Sequence, residues 1–495
     1  MDDIIKLFNH SNHLGAFNTF TYTDKSGLLH FSQNIQEIIN NYPDILTINL
    51  SSIIGVLSKN YMLGDTTLIN GIYRSPWMGY PDKSKSQWLF YDVPNHKENF
   101  ESKEKVAEKL FNLLCEEIIE YVGDKKKIGV LLSGGMDSRI LVGCLNHLIT
   151  NNTIKIDEVI GFTWGLERSR DVEYSKRITT SLNWKWKHYN VSANDLWENY
   201  KIAGVRGCEY SGIHLHAISK IAKDSDLVDV FLAGSYGDSV GRGEYSGMTV
   251  LKLKPIHSGI NNSDRLLCNS LYNKSKSYIN NEIEKYHMLF PREKKYMRNE
   301  LDYQLHYMRR MLNPCMELIN ERRKLHQIFT NPKVFGYIWS LDPSIRDNDI
   351  YYNILKMFPP EISDVPWART GKRYGYDNDT PDDYTKKHHE YDVIIQKDHL
   401  DRIQDFINEN KNYLPFFNLK AVNCILNEIR KYPYGNFDYL EKITWIISFI
   451  HFIKVHEERI NLEGDITSGS VSDVVKAKIN YYLHTRTRSL KNRFR

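Results

Sequence analysis

The sequence predicts an α/β protein built on an open parallel sheet, flanked by a helical C-terminal region and a small β-rich N-terminal domain. Three observations predict it. Short apolar runs alternate with amphipathic stretches between about residues 100 and 235; the first run ends in a Gly-Gly turn; and helical periodicity dominates beyond about residue 250.

Residues 1–95 read as short strands, FNTFTYTD, SGLLHFS and TTLINGIYRSPW, separated by Gly and Pro punctuation. The segment KEKVAEKLFNLLCEEIIEYV repeats apolar residues at three- and four-residue spacing, the stripe of an amphipathic helix. IGVLL (128–132) lies between Lys125-Lys126-Lys127 and a glycine pair, as a strand buried on both faces of a parallel sheet would. The loop SGGMDS and a helix, RILVGCLNHLI, follow. EVIGFTW (158–164), a helix around VEYSKRITTSL, WKHYNV, a helix through 212–223 and LVDVFLAG (227–234) complete the alternation. The expected division is therefore 1–95, 96–250 and 251–495, the last helical with a basic, solvated C-terminal tail.

Composition narrows the function. The net charge of +4 arises from 65 basic and 61 acidic residues, a near balance that argues against a nucleic-acid binder driven by counterion release. Cys115, Cys144, Cys208, Cys268, Cys315 and Cys424 are dispersed and contain no Cys-x-x-Cys pair, which disfavours zinc, iron–sulfur and disulfide frameworks and fits a reducing cytoplasm. The N-terminus opens with two acids, and no apolar stretch approaches the roughly 18 residues of a membrane span, so neither export nor spanning is expected.

The chemistry concentrates in Ser133-Gly134-Gly135-Met136-Asp137-Ser138, where a strand turns into a helix. Ligands of open parallel sheets bind at the carboxyl ends of the strands. The two glycines let backbone N–H groups approach an oxyanion, Ser133 and Ser138 add hydroxyl donors, and the helix dipole contributes about 0.3–1 kcal/mol per charge at an exposed site. Asp137 would repel phosphates unless a divalent cation lay between, which makes it a candidate magnesium ligand.

This unit resembles the asparagine synthetase-like members of the ATP pyrophosphatases (PP-loop proteins, of adenine nucleotide alpha hydrolase-like fold), whose signature is a strand followed by Ser-Gly-Gly-x-Asp-Ser. It lacks the Gly-Lys-Ser/Thr of a Walker loop. The resemblance continues through GFTWGLERSRDVEYSKRI, with Asp171 at the family's aspartate, and GCEYSGIHLHAISK, with Glu209 at an acid position. It extends to LAGSYGDSVGRGEYSG, which places Asp238 as the second magnesium carboxylate and Gly234 beside the nucleotide. Ser235 stands where the family has an acid, and Ser239 replaces a glutamate, which weakens aspartate as the substrate. DVPWARTGKRYG resembles the segment that supplies a pyrophosphate-binding lysine, implying Lys372 with Arg369 beside it as catalytic groups. Leu132, Ser133, Gly134, Gly135, Asp137, Ser138, Gly234 and Ser235 are then the ATP-binding set, and Asp137 and Asp238 hold Mg²⁺.

Glutamine-dependent relatives carry cysteine at residue 2, where this chain has Asp2. TTLINGIYRSPWMGYP still resembles the end of their amidotransferase domain, so residues 1–95 resemble a shortened remnant lacking the nucleophile. The resemblance implies an ATP-dependent ligase that adenylates a small-molecule or peptide carboxylate, releases pyrophosphate and transfers ammonia or an amine, the donor coming free, from a second substrate or from a separate protein. A homodimer is open to it. Alternatives are asparagine synthetase proper, a tRNA-modifying adenylating enzyme aided by the basic tail, and a non-catalytic nucleotide-binding scaffold. His188, His214 and His216 are expected to be packed, hydrogen-bonded histidines rather than catalytic groups.

Overall fold

The computed structural model describes residues 19–82, 87–241, 247–376, 378–462 and 470–493. Asp2, the residue at the family's cysteine position, lies outside them, as does 242–246 at the end of the LAGSYGDSVGRGEYSG segment.

The N-terminal region opens with strands β1 (Phe20–Thr23) and β2 (Leu29–Ser32), which join β3 (Tyr73–Arg74) in an antiparallel sheet of order β2-β1-β3. Between them lie two helices absent from the sequence reading, α1 (Ile35–Asn41) and α2 (Leu50–Lys59), each capped by an asparagine side chain, Asn34 and Asn49. The apolar residues of this region do not form a core of their own. Ile39, Ile53, Ile54 and Ile69 share one hydrophobic cluster with Trp445, Ile446 and Phe449 from the C-terminal helices.

Helix α3 (Lys103–Val122), capped by Ser102, leads into the main sheet. Its five parallel strands are β4 (Lys127–Leu131), β5 (Glu158–Trp164), β6 (Lys185–Tyr189), β7 (Val230–Ala233) and β8 (Leu325–Gln327), in the order β8-β7-β4-β5-β6. Strand β4 is central, with Ile128 and Val130 fully buried, which is why it reads as a continuous apolar run. The chain runs outward from β4 through β5 to β6 and then returns to the other side of β4 as β7. The crevice between the carboxyl ends of β4 and β7 is thus the topological switch point at which open sheets bind ligands.

Two expectations change. The stretch beyond residue 250 supplies β8, whose three residues are too few to show a period. The basic C-terminal segment is a packed helix rather than a solvated tail: Ala477, Tyr481 and Thr485 on the helix Val471–Arg493 are buried, one face of which the charge count gave no hint. Among the described residues no helix is long and apolar enough to cross a membrane.

A buried ion network ties the N-terminal region to the sheet side. Arg74 Nη2 lies 2.6 Å from Glu209 Oε2, Arg310 Nη2 lies 2.9 Å from Glu209 Oε1, and Arg74 Nη1 lies 3.2 Å from Glu317 Oε1. Nearby, Asp65 accepts from Lys285 at 2.8 Å and Tyr286 at 2.7 Å and faces Arg309 at 2.9 Å.

Candidate active site

The loop after β4 is held by its own side chains. Ser138 Oγ donates to the Ser133 carbonyl (2.9 Å) and lies 3.1 Å from Ser133 Oγ, which in turn accepts the Gly135 N–H at 3.2 Å. The Gly134 N–H donates to Asp171 Oδ1 at 3.0 Å. Helix Met136–Thr150 starts here with Gly135 as N-cap and no side-chain cap, so its first N–H groups remain available to a ligand. Behind the loop, the buried Arg139 donates Nε to the Gly135 carbonyl at 3.3 Å and a second bond to the Val365 carbonyl. Burial lowers this guanidinium to about 10, which leaves it a cation at neutral pH.

The loop after β7 meets the first at close range. A Cβ on Gly234 would sit 2.9 Å from the Asp137 carbonyl oxygen, and one on Gly237 would sit 2.8 Å from Asp137 Cγ. Only glycine permits that approach. Ser235 N donates to Gln327 Oε1 at 3.2 Å, so β8 fixes the second loop.

Together the loops border a cavity of about 380 Å³ whose wall includes Leu132, Ser133, Asp137, Ser138, Gly234, Ser235 and Asp238, along with Trp164, Asp171, His214, His216, Cys315, Met316 and His388. Of the residues expected from sequence, these seven converge. Gly134 and Gly135 belong to the same loop. Lys372 and Arg369 lie on the adjoining strap, where Ala368 N donates to the Gly134 carbonyl at 3.2 Å and Trp367 N to the Lys372 carbonyl at 2.8 Å. Neither side chain is part of the described cavity wall; Arg369 is exposed and its guanidinium lies 5.5 Å from the Trp367 ring. Glu209 is away from the cavity, at the hub of the buried ion network.

Two of the three histidines named from the sequence take a position that the sequence did not indicate. His188 does pack, its Nε2 lying 2.8 Å from the Gly165 carbonyl. His214 and His216, however, line the cavity, because the helix expected through 212–223 breaks into Gly212–Leu215 and Ile218–Lys223 with His216 at a left-handed φ of 46°. His388, which the sequence reading passed over, joins them; the His-His pair at 388–389 was the one local sign. Burial pushes the His216 and His388 imidazoles down, so both rings are uncharged at neutral pH. Burial also pushes the Cys315 thiol up to about 12, which makes it a poor nucleophile.

The model of the asparagine synthase family matches residues 120–345. These residues belong to the asparagine synthase family. The match spans the sheet, both loops and the cavity floor of the synthase domain, and its members are ATP-dependent amide-forming ligases that use magnesium. No curated protein matches the chain.

The residues of this synthase domain fit a magnesium–phosphate ligand. Among the described residues the cavity wall has three carboxylates, Asp137, Asp171 and Asp238, and no lysine or arginine, so a bound polyphosphate needs cations of its own. No described cluster of three or more His, Cys, Asp or Glu could hold a metal unaided. Such a donor set suits magnesium, which takes one or two carboxylates and completes its shell with phosphate oxygens and water.

Proposed function

We propose that this protein is an ATP-dependent ligase that adenylates a carboxylate, releases pyrophosphate and passes the acyl group to ammonia or an amine. The observation that carries this reading is the meeting of the Ser133–Ser138 loop with Gly234 and Gly237 at the switch point of the sheet, which puts Asp137 and Asp238 on one cavity wall.

In this reading Leu132, Ser133, Gly134, Gly135, Ser138, Gly234 and Ser235 bind the nucleotide. Backbone N–H groups and serine hydroxyls face the phosphates, and the uncapped helix end favours their charge. Asp137 and Asp238 would hold magnesium, which when bound neutralises the phosphate charge. The substrate carboxylate attacks the α-phosphorus, pyrophosphate leaves, and Lys372 and Arg369 on the strap supply positive charge toward the leaving group. The nitrogen nucleophile then displaces AMP from the acyl carbon.

Residues 1–95 serve as a structural remnant, a role supported by their sharing of the C-terminal helical core. Ser235 in place of an acid favours a carboxylate other than aspartate, such as a sugar acid or a peptide carboxylate. The weakly acidic Cys315 thiol speaks against a thiolating enzyme. Among the described residues the six cysteines form no disulfide, and the reading keeps the protein in a reducing compartment.

The test is release of AMP and pyrophosphate from the purified protein with ATP, magnesium, ammonium and a panel of amino and sugar acids. Carboxylate-dependent release that Asp137→Ala abolishes is the expected result. Formation of ADP, or release that Asp137→Ala leaves intact, would overturn the reading.

A further inference from the structure

The cavity wall includes aromatic and imidazole rings from three segments: Trp164 at the end of β5, His214 and His216 from the broken helix, and His388. The Trp164 and His216 rings stack at 5.8 Å, and the His388 ring lies 6.3 Å from His216 and 6.2 Å from Trp164. Two of the three cavity histidines face groups that are not on the cavity wall. His216 Nδ1 lies 3.2 Å from the Tyr391 hydroxyl, and His214 Nε2 lies 2.8 Å from Glu441 Oε1.

His214 Nε2, like His388 Nδ1, is buried without a hydrogen bond; His388 differs in that the carboxylate it faces is itself on the cavity wall. Its Nδ1 faces Asp171 Oδ2 at 3.8 Å. The other oxygen of Asp171 accepts the Gly134 N–H at 3.0 Å, so the imidazole is coupled through one carboxylate to the loop that faces the phosphates. Its backbone is fixed as well: Leu166 N donates to the His388 carbonyl at 2.9 Å, and Arg170 N and Thr385 N pair the strap with the turn after β5 at 2.9 and 3.0 Å. Gly165, at φ 136°, leaves room for the ring, since a Cβ there would sit 2.9 Å from His388 Nδ1. An imidazole on the cavity wall that faces a carboxylate has the arrangement of a general base.

We propose that His388, oriented by Asp171, accepts the proton of the nitrogen nucleophile in the amide-forming half-reaction. The inference rests on the ligase reading above. The nitrogen lone pair forms the N–C bond to the acyl carbon, and the C–O bond to the AMP phosphate breaks, its electron pair leaving with AMP. The proton shed by nitrogen passes to the imidazole and from there to water. The uncharged state of the ring at neutral pH keeps it able to accept that proton.

Three measurements separate the halves of the reaction, each made with the carboxylate that supports turnover in the panel. ATP–pyrophosphate exchange reads adenylation, which needs no acceptor for a nitrogen proton. Amide formation with ammonium reads both halves. Hydroxamate formation with hydroxylamine, whose more acidic nitrogen adduct sheds its proton to water, reads acyl transfer with little demand on a protein base. In His388→Gln, exchange and hydroxamate formation are expected to persist while amide formation falls by about 10²–10⁴-fold, the usual contribution of a general base. Asp171→Asn should show the same split to a smaller degree. Equal loss of all three activities would assign His388 a structural role, and unchanged amide formation would remove it from the chemistry; either overturns the proposal. Absence of exchange in the unaltered protein would instead sink the adenylating reading, and this inference with it.

Discussion

At the scale of single residues, Gly237 makes the sharpest claim about the site. An added methyl would fall within 2.7–2.8 Å of Asp137 Cβ, Oδ1 and Cγ, inside any ordinary carbon contact. Gly237→Ala must therefore either displace Asp137 or open the helical turn that follows, whose Gly237 carbonyl accepts the Tyr351 hydroxyl at 2.7 Å. Overpacking of this kind costs about 1–3 kcal/mol. Calorimetry should show weaker magnesium–ATP binding by the variant, with thermal stability reduced by no more than that cost. Binding unchanged from the parent protein would mean that Asp137 takes no part in holding the nucleotide.

At the scale of elements, the link between β3 and the helices beyond the sheet depends on Glu209. Its carboxyl is held below the usual range even though burial opposes ionisation, because Arg74 and Arg310 both face it. Glu209→Ala would leave two buried guanidinium groups short of a counter-charge, and breaking a buried pair in this way costs about 3–5 kcal/mol. Urea unfolding measures it. A loss below about 1 kcal/mol, the range of exposed pairs, would mean that Glu317 or water replaces the missing carboxylate. The same variant should leave the nucleotide cavity in place, since Glu209 is not on its wall.

At the scale of the whole molecule, stability should fall as the solution is acidified. Burial holds His306 at about 3 and His389, His451 and His456 at about 4, all below the ordinary value of 6.5. The unfolded chain binds these protons near 6.5 and the folded chain only near 3–4, so acid favours unfolding throughout that interval. Their contribution is complete above pH 6.5 and is lost as pH falls toward 4. Asp65 adds a second, lower window. Although burial opposes its charge, Arg309 and Lys285 hold it at about 2 against an ordinary 3.8, so its contribution is present above 3.8 and lost toward 2. The melting temperature should be flat above pH 6.5 and decline below it. A rise between pH 6.5 and 4 would contradict the desolvation of these histidines in the folded chain.

What the sequence by itself determined is the local grammar of the sheet and of its first loop. EVIGFTW coincides with Glu158–Trp164, and KEKVAEKLFNLLCEEIIEYV with Lys103–Val122, because a short apolar run and a period of 3.6 are both written in neighbouring residues. Ser133–Ser138 was legible for the same reason: a strand, two glycines and a helix start are adjacent in the chain. Tertiary structure alone decided what faces that loop. His388 reaches Asp171 across more than two hundred residues, Glu209 meets Arg74 and Arg310 in the interior, and Leu325–Gln327 becomes the fifth strand only by pairing with β7. None of these has a periodic signature, since each follows from how the hydrophobic clusters close around segments remote in sequence.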